Sequence, residues 1–459
     1  MIRPITTRTW FACLAGILLI LGDHSISMGA DPNEYTLTNG MKVLLIEVPK
    51  APVATVQVWY KVGSRNEVMG RAGLSHMLEH MMFKGTARYP KGSFSRIIRK
   101  NGGVDNAFTG QDFTAYFENV AADRVGLALE LEADRMQGLL LDHSEFQTER
   151  DVVKEERRLR SEDDPQGALV EALFAQVFMS HPYHWPVIGW FADLDAMAIE
   201  DLQRHYDTFY SPNNATLIVV GDIKADSLLP IIKRLFEPIP RGPSPKHVLP
   251  PEPEQRGERR FLLKRDAQVP FVMTGFRIPN YSSDDSYALN LLESILSHGK
   301  SSRLYQSLVY EQKMALAVGA DYSLLQTDPG LFYFYAVVNP GTKVEAVEEA
   351  LQREVLRLQN DPPSELELQR AKNQVEASRV FEQDSNFRHA MLMGQAETVG
   401  AGWRRINQFV EHIRAVTAQD IQRVAKQYLT PDSRTTGILI PLPPKPPESP
   451  PSATHDGKS

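Results

Sequence analysis

Two histidines four residues apart, with a glutamate between them, are the groups in this chain best suited to chemistry: His76-x-x-Glu79-His80. On a helix, positions i and i+4 lie on one face, so the two imidazoles can share a cation. Glu79 is adjacent to His80 and three residues past His76, which puts its carboxylate beside a metal's open position instead of among its ligands. Zinc suits two neutral imidazoles and one carboxylate, with water in the fourth place. The ion lowers the pKa of that water, and Glu79 can take its proton as it attacks a carbonyl. A third ligand has to come from another helix. The stretch from Glu149 to Arg158 (ERDVVKEERR) offers Glu149 and Glu156, seven residues and two turns apart on one face. The start of that helix is expected at a capping box of Ser144 with Gln147, and Val152, Val153 and Leu159 give it a partial apolar stripe.

The elements that carry these groups follow from periodicity. Helices are expected at Ala72 to Met82, Ala122 to Gly138, Ser144 to Arg160, Ser286 to Leu296 and Val344 to Gln359. Strands are expected at Lys42 to Ile46, Ala54 to Tyr60, Thr114 to Phe117, Phe271 to Phe276 and Leu331 to Val338. Hairpins mixed with long helices indicate an α+β organisation with largely antiparallel sheets. The chain also reads as two related halves. Asp201 to Arg204, Ser211-Pro-Asn213 and the strand Thr216 to Val220 recur 219 residues later as Asp420 to Arg423, Thr430-Pro-Asp432 and Thr435 to Ile440. At the front of each half, the helix with His76 and His80 is echoed by Asn290 to Ser294, and Gly85 and Gly299 are equally placed after it. Asn290 and Ser294 stand where the first half has its histidines, so the second half cannot hold a zinc ion of this kind.

With 459 residues, 42% hydrophobic and 23% charged, the composition is that of a globular protein of more than one domain, neither multi-span membrane nor wholly disordered. There are 50 Lys+Arg against 57 Asp+Glu and no basic block, which gives no footprint for nucleic acid. The single cysteine, Cys13, excludes a disulfide framework and a multi-cysteine metal site. Arg3 and Arg8, the apolar run Trp10 to Leu21 and the small residues up to Ala30 read as a secretory signal cleaved near Ala30. At ~1.5 Å per residue the run is too short to span a ~30 Å hydrocarbon layer, and retention as an anchor is the alternative reading. The expected division is a signal peptide at 1–30, a zinc-bearing half at 31–236, a proline-rich linker at 237–262, a half without the zinc motif at 263–440 and a disordered proline-rich tail at 441–459.

His76-x-x-Glu79-His80, followed after 75 residues by Glu156, resembles the pitrilysin, insulysin and mitochondrial processing peptidase family, the inverted-motif zinc peptidases or inverzincins. The likeness extends through Phe83-Lys-Gly-Thr86, Asn106-Ala107-x-Thr109-x-x-Asp112-x-Thr114-x-Tyr116, His181-Pro-Tyr183 and Ser211-Pro-Asn-Asn214 over nearly all of the chain. It implies two homologous α/β-sandwich halves, mainly antiparallel sheets packed with helices, forming a clamshell around a peptide. It also implies Zn2+ on His76, His80 and Glu156, with Glu79 as general base and Glu149 as an assisting acid behind the ligands. The segment Gly103 to Phe117 is then an edge strand that takes up substrate backbone at Asn106 and Ala107 by strand addition.

Members of that family that work alone carry in the second half an Arg followed seven positions later by a Tyr. Here Val309 and Leu316 stand in those places. The resulting expectation is a secreted, periplasmic zinc metalloendopeptidase that hydrolyses peptides or unfolded polypeptides as the zinc-bearing subunit of a dimer. Its partner is a zinc-lacking homologous subunit or a second copy, with no nucleic acid and no membrane span in the mature form. The alternatives are a non-catalytic scaffold subunit of a processing complex and a maturation peptidase dedicated to one peptide precursor.

Overall fold

The computed structural model describes residues 31–244 and 251–443, so the signal segment 1–30 and most of the tail lie outside the described residues. The first sheet contains β1 (Asn33–Thr36), β2 (Lys42–Glu47), β3 (Val53–Tyr60), β4 (Val104–Thr109), β5 (Thr114–Ala121) and β6 (Ala215–Gly221) in the order β1-β2-β6-β3-β5-β4. The second contains β7 (Arg259–Arg265), β8 (Phe271–Ile278), β9 (Ala315–Tyr322), β10 (Gly330–Val338) and β11 (Arg434–Pro441) in the order β7-β11-β8-β10-β9. Setting β2 against β7 aligns the two orders strand for strand. Each begins with one parallel pair, β2 with β6 or β7 with β11, and continues through antiparallel pairs to an edge hairpin. The internal repeat therefore extends to whole sheets, and both are mainly antiparallel.

Burial along the central strands shows how the halves are joined. β6 is buried at every residue and β3 at all but Val53. A sheet with one solvated face would alternate, so both of its faces must be covered. Helix Val125–Gly138 of the first half packs on β3, and helix Asn386–Val399 of the second half lies against β3 and β6. In return, helix Pro165–Val177 of the first half packs on β8 and β11. Gly394 permits this close crossing, because a Cβ there would fall 2.1 Å from the Trp59 indole. One apolar core runs through both halves, from Leu44, Trp59 and Ile218 to Phe276, Phe332 and Ala396.

Two local expectations are corrected. Helix His143–Arg157 is capped by Asp142, whose carboxylate accepts the N–H groups of Ser144 and Glu145, and not by Ser144 with Gln147. A charged acceptor at a helix N-terminus gains from the dipole as well as from the bonds, and Asp142 stands two residues before Ser144. β7 begins at Arg259, inside the segment 237–262 expected as linker, because residues 259–265 pair in parallel with Thr435 to Pro441 of β11. Its alternating Phe261 and Leu263 pack inward between arginines and a lysine, a pattern the surrounding charges conceal.

Candidate metal centre

Helix Leu74–Met81 begins after Gly73, whose φ of 95° suits glycine and whose Cβ, if present, would lie 2.7 Å from the Ile188 carbonyl oxygen. Glu67 accepts the N–H groups of Gly73 and Ser75 at 2.7 Å each, satisfying donors that a helix start leaves open. Leu74, Met77, Leu78 and Met81 are buried in the core of the first half. That anchors the helix against His143–Arg157, which is itself held by buried Phe146 and Val153.

The two helices bring the expected ligands together. Nε2 of His76 lies 3.6 Å and Nε2 of His80 3.4 Å from Oε2 of Glu156, and candidate ligand atoms of the three lie within 4.8 Å of one another. These separations are long for hydrogen bonds, but a tetrahedral ion with bonds of ~2.0–2.1 Å spaces its ligands about 3.3–3.4 Å apart. Two imidazoles and a carboxylate are a zinc donor set, so the residues present fit the ion. Nδ1 of His80 lies 2.8 Å from Oε1 of Glu149, which leaves Nε2 free to ligate. Lys84 pairs with the other oxygen of Glu149, and Arg160 with Oε1 of Glu156 at 2.5 Å. Among the described residues no other group of three or more His, Cys, Asp or Glu side chains is placed to hold a metal.

The electrostatics separate the roles. Burial, with His80 next to it, pushes His76 down to about 4, so this imidazole is neutral. Burial also disfavours charge on His80, yet Glu149 and Glu156 outweigh it and raise the group to about 9. Glu149 is held at about 2: burial opposes ionisation, but the bonds from His80 and Lys84 prevail. The facing His80 lowers Glu156, with His76 and Arg160 adding to the effect against partial burial. Burial raises Glu79, against a 2.5 Å bond donated by the Thr109 hydroxyl, which moves its carboxylate toward a pKa useful for proton transfer near neutrality.

Thr109 belongs to β4, the free edge of the first sheet, so the strand beside the cluster is tied to Glu79. Asn106 and Ala107 lie on that edge as expected, and the Asn106 side-chain oxygen accepts the Ala107 N–H at 2.9 Å. In the second half, Val309 is half-buried against the core and Leu316 is exposed on the edge strand β9. Arg303 is held in a two-bond pair with Glu367, which accepts from its Nε and Nη2 at 2.8 and 3.1 Å. Sequence reasoning gave no role to Glu67, Thr109 or Lys84. Lys84 and Thr109 sit inside motifs that were noticed, whereas Glu67 carries no signal beyond its position before a glycine-led helix.

The sequence matches two family models, "Insulinase (Peptidase family M16)" over residues 42–189 and "Peptidase M16 inactive domain" over residues 196–375. The first match contains the whole cluster. Zinc protease PqqE of Helicobacter pylori is 33% identical over 436 residues, 93% of this chain and 98% of that protein. An uncharacterized zinc protease of Mycobacterium leprae is 30% identical over 401 residues, 86% of this chain and 88% of that protein. The crystal structure of a protease from Helicobacter pylori aligns with a TM-score of 0.85 at 33% identity, covering 89% of this chain and 99% of that one. With these likenesses over both halves, the chain belongs to the insulinase family, peptidase family M16.

Proposed function

We propose that this chain is a zinc metalloendopeptidase that cleaves peptides or unfolded polypeptides, and that His76, His80 and Glu156 hold the ion. The observation that carries the reading is the ligand triangle, with Glu79 half-buried beside it and tied to the edge strand β4. A zinc ion bound there supplies Lewis acidity, lowering the pKa of a water and polarising the scissile carbonyl. The chain's own residues do the rest. β4 offers its unpaired backbone edge to a peptide at Asn106 and Ala107, with the Asn106 side chain giving up the Ala107 N–H to the incoming strand. Glu79 takes the proton of the attacking water and can return it to the departing amine. Glu149 orients His80 through Nδ1. The model described as inactive matches mostly the half that lacks the histidines, so it does not weigh against the first half.

The missing Arg and Tyr support a second chain as part of the working enzyme. Val309 and Leu316 have no side-chain donor for a developing oxyanion, and one such donor is typically worth ~10²–10³ in rate. The two halves are interlocked by exchanged helices, so a cover over β4 and the metal cluster falls most simply to a partner, a zinc-lacking homologue or a second copy. The N-terminal segment supports export, with the periplasm as compartment. The test is cleavage of an unstructured peptide by the purified chain, with and without a chelator, and then with its co-expressed homologue. Cleavage is expected to require the metal and to rise ~10²-fold with the partner. A chelator-insensitive reaction removes the zinc reading, and full turnover by a monomer removes the partner.

Glu149→Gln keeps shape but loses charge behind His80. Its zinc affinity, measured by competition with a chromogenic chelator, is expected to fall roughly 10- to 100-fold with the fold intact. An unchanged affinity would show that Glu149 does not support the ligand.

A further inference from the structure

The second half keeps a cavity where the first has its metal cluster. Helix Asp285–Ser297 precedes β9 and β10 as Leu74–Met81 precedes β4 and β5, and it carries Asn290, Glu293 and Ser294 at the spacing of His76, Glu79 and His80. Helix Glu365–Asp384 packs against it as His143–Arg157 packs against the histidine helix. Counted from the caps Asp142 and Ser364, Ser378 takes the place of Glu156. With Arg379 and Glu382 these side chains line a cavity of about 180 Å³. A single water needs only ~10–15 Å³ on such a measure, so there is room for a small organic molecule.

A site that had merely decayed would fill with apolar side chains, because unmet buried polar groups are costly. This one stays polar and unsatisfied. Ser294 is 3% exposed and its Oγ has no hydrogen-bond partner, and Asn290 Oδ1 is likewise buried without one. The charges are only partly spent on each other: Glu293 has a hydroxyl and no cation for a partner, accepting from Ser297 at 2.8 Å, while Arg379 gives one N–H to Glu382 at 2.9 Å and keeps its other guanidinium donors. Burial, helped by Asp321 and opposed by the Ser297 bond, pushes the Glu293 carboxyl up to about 7. A bound cation would restore its charge.

We propose that this cavity binds a free α-amino acid, with its ammonium on Asn290, Glu293 and Ser294 and its carboxylate on Arg379. An ammonium has three N–H donors and no acceptor, which matches three acceptors at i, i+3 and i+4 on one helix face. A guanidinium matches a carboxylate in shape and charge. No residue of the metal cluster takes part, so the site stands or falls apart from the peptidase reading.

Calorimetric titration of the purified chain with glycine, L-alanine and L-glutamate tests it. At least one is expected to bind saturably, and roughly tenfold more weakly or worse after N-acetylation, after amidation of its carboxyl group, and in Glu293→Gln or Ser294→Val. His76→Ala should bind it equally, and melting curves establish that each variant is folded. If no amino acid binds at millimolar concentration, the cavity holds water only and the proposal fails. Binding kept in Glu293→Gln and Ser294→Val, or lost in His76→Ala, overturns it as well.

Discussion

Glu79→Gln is expected to lower peptide hydrolysis by ~10²–10⁴-fold while zinc content and melting temperature stay near their native values. The substitution changes no heavy-atom shape, and Thr109 can still donate its hydroxyl to the amide oxygen, so β4 keeps its tie to this position. What disappears is a group able to take a proton. The rival base is Glu149, but it is bound to His80 and Lys84 and held at about 2, so it neither faces a free substrate nor wants a proton. Glu156 is committed to the two imidazoles and to Arg160. The assay is initial rate on an internally quenched peptide with zinc measured on the same sample. A loss of less than about tenfold with zinc retained would mean that Glu79 is not the base.

The candidate ligands were legible in the sequence because helices impose their own geometry. His76 and His80 share a face by spacing alone, and Glu149 and Glu156 likewise. What spacing could not give is which glutamate meets which imidazole, since that depends on how two helices separated by residues 82–142 of the chain cross. The resemblance chose Glu156, and the structure puts its Oε2 between the two Nε2 atoms. The sheets were legible where strands are long and apolar, as in β3, β8 and β10. β7 was hidden, because its inward Phe261 and Leu263, with Leu262 exposed between them, are flanked by Arg259, Arg260, Lys264 and Arg265 beside a proline-rich stretch. The exchange of helices could not be read at all: Asn386–Val399 shows apolar residues on several sides, and only the burial of both faces of β3 and β6 reveals what it covers. Glu67 was missed for a related reason, since its partners are backbone N–H groups that leave no mark in the sequence.

His80→Ala is expected to abolish stoichiometric zinc binding and with it hydrolysis, where the native chain holds roughly one ion. The native site makes a sharper prediction about protons. In the metal-free protein His80 sits at about 9, so at pH 7 its imidazole is protonated, whereas His76 at about 4 is already neutral. Zinc requires both nitrogens unprotonated, and therefore binding at neutral pH should release about one proton, from His80. The sign follows from the raised value: below about 9 the proton competes with the ion, so apparent affinity rises by about one decade per pH unit from pH 6 to 8 and flattens only above pH 9. Glu149→Gln removes the first of the partners that raise His80, so that variant should release a smaller fraction of a proton even as it binds more weakly. Titration calorimetry in two buffers of different ionisation enthalpy counts the protons directly. A pH-independent affinity with no proton released would show that His80 is neutral before the ion arrives, and that Glu149 orients the ring without charging it.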